Sequence, residues 1–183
     1  PDMATLKGKS TRKRPKPAIP DWIAIPPEIL ENHYKVDLCM DVMYINGVGL
    51  MTAIDRTIRY RSVIPLKSDD SVDVMAALRL IVRRYDRAGI SVSVIHCDHA
   101  FQDWFEGMQT PIPLNHANAD DHQGEAERNN RFLKEGFRVR YHLLPYKAIP
   151  RVMIRSLAVL VAIQANYFPA KHGVSNYYSP RML

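Results

Sequence analysis

Apolar residues fill both alternating sets of positions from Val36 to Ile45, and Asp37 and Asp41 are the charged side chains that interrupt them. Such a run predicts a strand. Asn46-Gly47 follows it and predicts a tight hairpin turn into a second strand, from about Val48 to Asp55. A third strand is expected from about Tyr60 to Leu66. Ser68, Asp69 and Asp70 offer an N-cap, and Val72, Met75, Leu78, Ile81, Val82 and Tyr85 then recur at helical spacing until Gly89, suited to a C-terminal cap. Val92 to Ile95 reads as a short buried strand ending at His96-Cys97-Asp98. A helix is expected over Phe101 to Met108. The segment Gln109 to His122, with two prolines and many small polar residues, reads as a mobile loop. Beyond it the pattern predicts a helix from near Gln123 to about Phe137 and a fifth strand near Val139 to Leu144. The last helix runs from about Pro150 to Asn166, with proline in its first turn.

Three antiparallel strands, a helix, a parallel strand and further helices describe an α/β domain with a mixed sheet. Prolines at 15, 17, 20, 26 and 27 keep residues 1–34 from continuous helix or central strand. That stretch is expected to be an extended linker, with Trp22 and Ile23 docked on the core. The chain thus divides into a basic, proline-rich tail (1–34), a folded core (35–168) and a C-terminal extension (169–183). No internal repeat is present.

Length and composition sharpen this only in part. A chain of 183 residues suits one domain with a full-sized core. Hydrophobic content of 46% and charged content of 24% are ordinary for a soluble globular protein. The longest apolar run, Ser156 to Ile163, is too short to span a bilayer, and no secretory leader or membrane partner is expected. Two cysteines cannot build a disulfide scaffold and no Cys/His cluster has zinc spacing, so Cys39 and Cys97 read as reduced core residues of an intracellular protein.

The net charge of +6 is unevenly spread: Lys7, Lys9, Arg12, Lys13, Arg14 and Lys16 stand against Asp2, so residues 1–20 carry +5 of it. Such a block is a solvated, disordered tail by structure. It is also the kind of segment that binds phosphates or serves as a nuclear targeting signal.

Three acids occupy positions where chemistry is done. By alternation Asp41 shares a strand face with Asp37, Cys39, Met43 and Ile45, and a carboxylate so flanked needs a partner or a metal to be buried. Asp98 stands just past the carboxyl end of a buried strand, a frequent site position in α/β sheets. Glu127 falls in the first turn or two of the helix after the loop. Taken singly, Asp41 could face solvent, Asp98 could cap the next helix, and Glu127 could be an ordinary surface acid. Two acids on strands and one near a helix start can also converge on a site for hard cations. Glu127, Asn130, Arg131 and Lys134 follow i, i+3, i+4, i+7 spacing and so share one helix face, which could equally be a solvated face with Glu–Arg pairing.

The wording of these segments resembles a known family. Cys39-Met40-Asp41-Val42-Met43-Tyr44-Ile45-Asn46-Gly47 resembles the first strand and turn of the retroviral and retrotransposon integrase core. Val94-Ile95-His96-Cys97-Asp98 resembles the segment carrying the second acid, and Gln123-Gly124-Glu125-Ala126-Glu127-Arg128-Asn129-Asn130-Arg131 the helix carrying the third. The last wording is most similar to integrases of copia-type LTR retrotransposons. Lys7-Gly8-Lys9-Ser10-Thr11-Arg12 resembles the segment after that group's zinc-binding domain, and Pro169 to Leu183 its post-core stretch.

The resemblance implies a ribonuclease-H-like fold with a five-stranded mixed sheet flanked by helices. It implies metal-dependent DNA end processing and strand transfer, a phosphoryl transfer catalysed by an integrase (a polynucleotidyl transferase). Asp41, Asp98 and Glu127 would bind two magnesium or manganese ions. Gln123, Asn130, Arg131 and Lys134 would contact DNA, joined by the basic tail from Lys7 to Lys16. Partners would be double-stranded DNA, at element ends and target, and further copies of the chain; the setting would be a cytoplasmic particle and the nucleus. Departures from the pattern are His99-Ala100 after the second acid, Asp120 where a proline is usual, Glu125 in place of an apolar residue, and a shortened spacing of 28 residues between Asp98 and Glu127. The family's zinc-binding domain is missing, as expected of a fragment. Glu125 is the rival third ligand, but it points about 200° from Glu127 on a helix and shares its side with Asn129 and Phe132. His96, His99 and His122 read as loop or packing residues. The rival functions are a ribonuclease-H-like nuclease without strand transfer and a catalytically inactive DNA-binding or assembly module.

Overall fold

The computed structural model describes residues 24–98, 101, 112–116 and 124–183. A short helix α1 (Pro27–Asn32) precedes strands β1 (Lys35–Ile45), β2 (Val48–Asp55) and β3 (Arg61–Pro65). Helix α2 (Ser71–Arg87), strand β4 (Ser91–Cys97) and strand β5 (Leu114–His116) come next. Helices α3 (Gly124–His142) and α4 (Arg151–Ala165) complete the order. The strands form one sheet in the order β3-β2-β1-β4-β5. β1 pairs antiparallel with β2 and β2 with β3, whereas β1–β4 and β4–β5 are parallel. The expected five-stranded mixed sheet is therefore present.

Asn46 and Gly47 both take positive φ, 49° and 72°, as a tight two-residue hairpin requires. That turn pins Ile45 opposite Val48, so the register runs back to put Asp41 opposite Thr52. β1 lies centrally and is covered on both faces, which is why its sequence shows no simple polar alternation. Val36, Leu38 and Met40 point to one side and cluster with Val74, Leu78, Ile81 and Tyr85 of α2. Met43 and Ile45 point to the other and cluster with Leu133 and Phe137 of α3 and Ile154, Ala158 and Val161 of α4. Each fully buried aliphatic side chain contributes about 1.5–3 kcal/mol. Asp41 belongs to the α3 side. There α3 and α4 approach closely: a Cβ on Gly136 would stand 2.7 Å from Cγ1 of Val161.

Asn166 at the end of α4 closes the free edge of the sheet, because its side chain accepts from the Arg61 N–H and donates to the Arg61 carbonyl, both at 2.8 Å. At α2 the cap differs from expectation. Asp70 holds the N-cap position without a side-chain bond to the helix. Asp73 instead reaches back to the Ser68 N–H at 2.8 Å. Gly89 closes the same helix at φ 74°, as expected.

Three further expectations are corrected. Residues 24–34 are not wholly extended, since Pro27 opens α1 where a missing N–H costs nothing. The predicted strand at Val139 to Leu144 is the last turn of α3 and the residues after it. Val139 and Leu143 are exposed there, and Phe137 stacks on Tyr141 one turn later, a helical contact. The fifth strand lies instead inside the predicted loop, at Leu114–His116, parallel to β4 at the sheet edge. Pro113 precedes it, a position an edge strand tolerates. Trp22, Ile23 and all but Phe101 of the helix expected over Phe101 to Met108 lie outside the described residues.

Candidate nucleic-acid and metal site

Asp41 sits mid-strand on β1 and is half-buried, with both carboxylate oxygens engaged. Oδ1 accepts from the Val42 N–H at 2.7 Å, and Oδ2 accepts from Asn130 Nδ2 of α3 at 2.6 Å. Across the hairpin, the Thr52 hydroxyl lies 2.8 Å from Asn130 Oδ1 and 3.0 Å from the Asp41 carbonyl, its one hydrogen shared between two acceptors. This fixes the amide of Asn130: its NH2 must face the carboxylate, and its oxygen the hydroxyl.

Burial pushes the Asp41 carboxyl above the usual carboxylate range, and the negative charge of Asp98 pushes it further. The Val42 and Asn130 hydrogen bonds and the charge of Lys134 oppose that rise. Asp98, exposed just beyond the end of β4, is thus within electrostatic reach of Asp41, as is Lys134. The same acid, after burial, raises the neighbouring thiol of Cys97 to about 12. Cys39 and Cys97 are buried and stand outside any disulfide.

Glu127 is exposed in the first turn of α3. It lines an open groove with Asn130, Arg131, Lys134, Glu135 and Arg138. Asn130 thus belongs both to the groove and to the Asp41 hydrogen bonds. The groove face joins an acid, an amide and cations, as the helical spacing predicts. Asn130 bonds Asp41, and Asp98 and Lys134 lie within electrostatic reach of it. The structure does not gather the three predicted acids: among the described residues no group of three His, Cys, Asp or Glu side chains is placed to hold a metal ion. Gln123, the tail residues Lys7, Lys9, Arg12, Lys13, Arg14 and Lys16, and also His99 and His122, lie outside the described residues.

Glu125 faces elsewhere. Arg59 holds it with two guanidinium nitrogens, at 2.5 and 3.4 Å, and Arg128 adds a contact at 2.9 Å. Burial would raise the Glu125 carboxyl, but these arginines outweigh it and bring it below the ordinary range. His96 packs in β4, its Nδ1 3.3 Å from Asn115 Nδ2, and burial holds its pKa down. Sequence reasoning missed Thr52 and Arg59. The first could have been found by counting back from the Asn46-Gly47 turn, whereas no local signal marks the second.

No protein-family model matches this sequence, and no curated protein matches it. Among solved structures, the catalytic core domain of BIV integrase is similar to this chain with a TM-score of 0.56 and 14% identity, covering 79% of this chain and 90% of that one. The fold is that of an integrase catalytic core. What is shared is the ribonuclease-H-like architecture: a five-stranded mixed sheet with flanking helices. Among the described residues no helix is long and apolar enough to cross a membrane.

Proposed function

We propose that this chain is the core of an integrase of the copia type of LTR retrotransposon, carrying out metal-dependent phosphoryl transfer on DNA. The observation that carries the reading is Asp41: a half-buried carboxylate, oriented by Asn130, with Asp98 in electrostatic reach and a cation-bearing groove on α3 beside it. Two carboxylates set near one another favour a positive ligand between them. Oxygen donors without sulfur or imidazole fit magnesium or manganese. Asp41 and Asp98 would hold the ions, with Glu127 as the third ligand from the groove face. Bound divalent ions would activate the attacking oxygen and neutralise the leaving one. Asn130 keeps the Asp41 carboxylate in one orientation, which spares reorganisation when the ligand arrives. Arg131, Lys134 and Arg138 give the DNA backbone a cationic track. Gln123 and the basic tail would extend that contact, in a nuclear setting with further copies of the chain.

A DNA-binding module without catalysis is the second reading, raised by His99-Ala100 after the second acid. Incubation of a labelled DNA end with plasmid and Mn²⁺ separates the readings. Integrase function predicts joined product, lost in Asp41→Asn, Asp98→Asn and Glu127→Gln, because an amide offers a weaker, neutral oxygen to a divalent ion. Nicking without joining would leave only nuclease chemistry, and DNA binding without either would establish the inactive module.

A further inference from the structure

Asp55 ends β2, and its carboxylate gathers the N–H groups of Thr57, Ile58, Arg59 and Tyr60 within 2.5–3.0 Å. That wrapping turns the β2–β3 connection sharply and leaves Arg59 at φ 66°, the left-handed region that disfavours a side chain with a Cβ. A glycine would sit there more easily. Arginine stands there instead, and its guanidinium grips Glu125 from two nitrogens, with 17% and 23% of the two side chains exposed. A partly buried, forked pair of this kind has fixed geometry as well as attraction. Glu125 is the second residue of α3, two before Glu127 and five before Asn130, which is bonded to Asp41. The start of α3 is therefore pinned twice, once to the β2–β3 turn and once to the sheet.

We propose that Arg59 is a positioning residue for the site: by holding Glu125 it fixes the first turn of α3 and so sets where Glu127 is presented. Its part in DNA chemistry rests on the function proposed above; its hold on the helix does not. Arg128 cannot replace Arg59, since it is 69% exposed and rides on the same helix.

Arg59→Gly is the informative variant, because glycine keeps the φ of 66° and removes the grip alone. Backbone N–H groups of residues 128–131 donate to the carbonyls of the first turn, so their hydrogen exchange reports its order. Arg59→Gly should speed exchange at 128–131 by more than about tenfold and leave the α2 amides unchanged. In the joining assay it should lower kcat by about tenfold or more with KM for DNA nearly constant, as misplacement of a reacting group does. Arg59→Lys, which keeps the charge and loses the fork, should recover part of both. Unchanged exchange at 128–131 in Arg59→Gly would overturn the proposal, as would faster exchange with kcat at the wild-type level. Should the wild-type chain join no DNA, the proposed function fails by itself, and the exchange result still decides whether Arg59 fixes the turn.

Discussion

Two carboxylates leave the same pair of strands and meet opposite treatment. Asp55, at the end of β2, is fully buried, and its two oxygens accept from four backbone N–H groups and the Tyr85 hydroxyl. Burial pushes its pKa up and those donors pull it back. The chain itself satisfies this acid. Asp41, three pairings along the same ladder, has two donors, and burial together with the charge of Asp98 pushes it up. A carboxylate held half-buried beside another is costly unless a cation compensates. The lesson is that burial alone does not mark a functional acid. A carboxylate saturated by the fold is structural, and one oriented by the fold yet left facing a like charge is, on the function proposed, poised for a cation.

Removing the saturated acid should have the largest effect. Asp55→Ala leaves the donors of the β2–β3 turn without their acceptor in the interior, at a cost of about 3–5 kcal/mol. Denaturant unfolding should show it, with no dependence on Mg²⁺. A loss as small as that of a surface substitution would mean that water replaces the carboxylate and that the contrast with Asp41 is false. A finer cut is Tyr85→Phe, which removes one donor of the five. Tyr85 lies buried, 3.0 Å from Asp55 Oδ2, and its hydroxyl is held protonated by burial and by the adjacent charge. The expected loss is about 1–2 kcal/mol, read in the same titration. It should vanish in an Asp55→Ala background if the two groups act as a unit.

Much of this contrast was invisible in the sequence, for a physical reason. The strands β1 and β2, the Asn46-Gly47 turn and helix α2 follow local rules, in which neighbours in sequence decide the conformation. So does the shared face of Glu127, Asn130, Arg131 and Lys134. What failed was decided at a distance. Val139, Tyr141 and Leu143 alternate like a strand, but the fifth slot in the sheet is taken by Leu114–His116, so the segment stays in α3 and just beyond it. The side-chain partner of Asp55 and the forked partner of Glu125 lie 30 and 66 residues away, at Tyr85 and Arg59. No pattern of spacing marks such pairs in advance. The motif wording named Asp41, Asp98 and Glu127, whereas no local pattern tells how their side chains stand to one another; among the described residues no three such groups are placed to hold a metal ion.

The smallest effect tests the open acid directly. A divalent ion that binds the folded chain and not the unfolded one stabilises it by mass action, about 0.4 kcal/mol when its concentration equals Kd. Added Mn²⁺ should therefore raise the Tm slightly near neutral pH. The sign of the pH dependence follows from Asp41, whose folded pKa lies above its ordinary value. Without the ion, its contribution to stability is full at low pH and lost as pH rises through the raised pKa. The ion binds the ionised form and offsets that loss, so the Mn²⁺-induced gain should be largest above the raised pKa. As pH falls, a proton displaces the ion from Asp41 sooner than from an ordinary carboxylate, so the gain should shrink. Asp41→Asn should abolish the gain at every pH, while Asp86→Asn, which alters an exposed acid of α2, should keep it. A gain that survives in Asp41→Asn, or that is lost in Asp86→Asn, would place the ion elsewhere and make Asp41 as structural as Asp55.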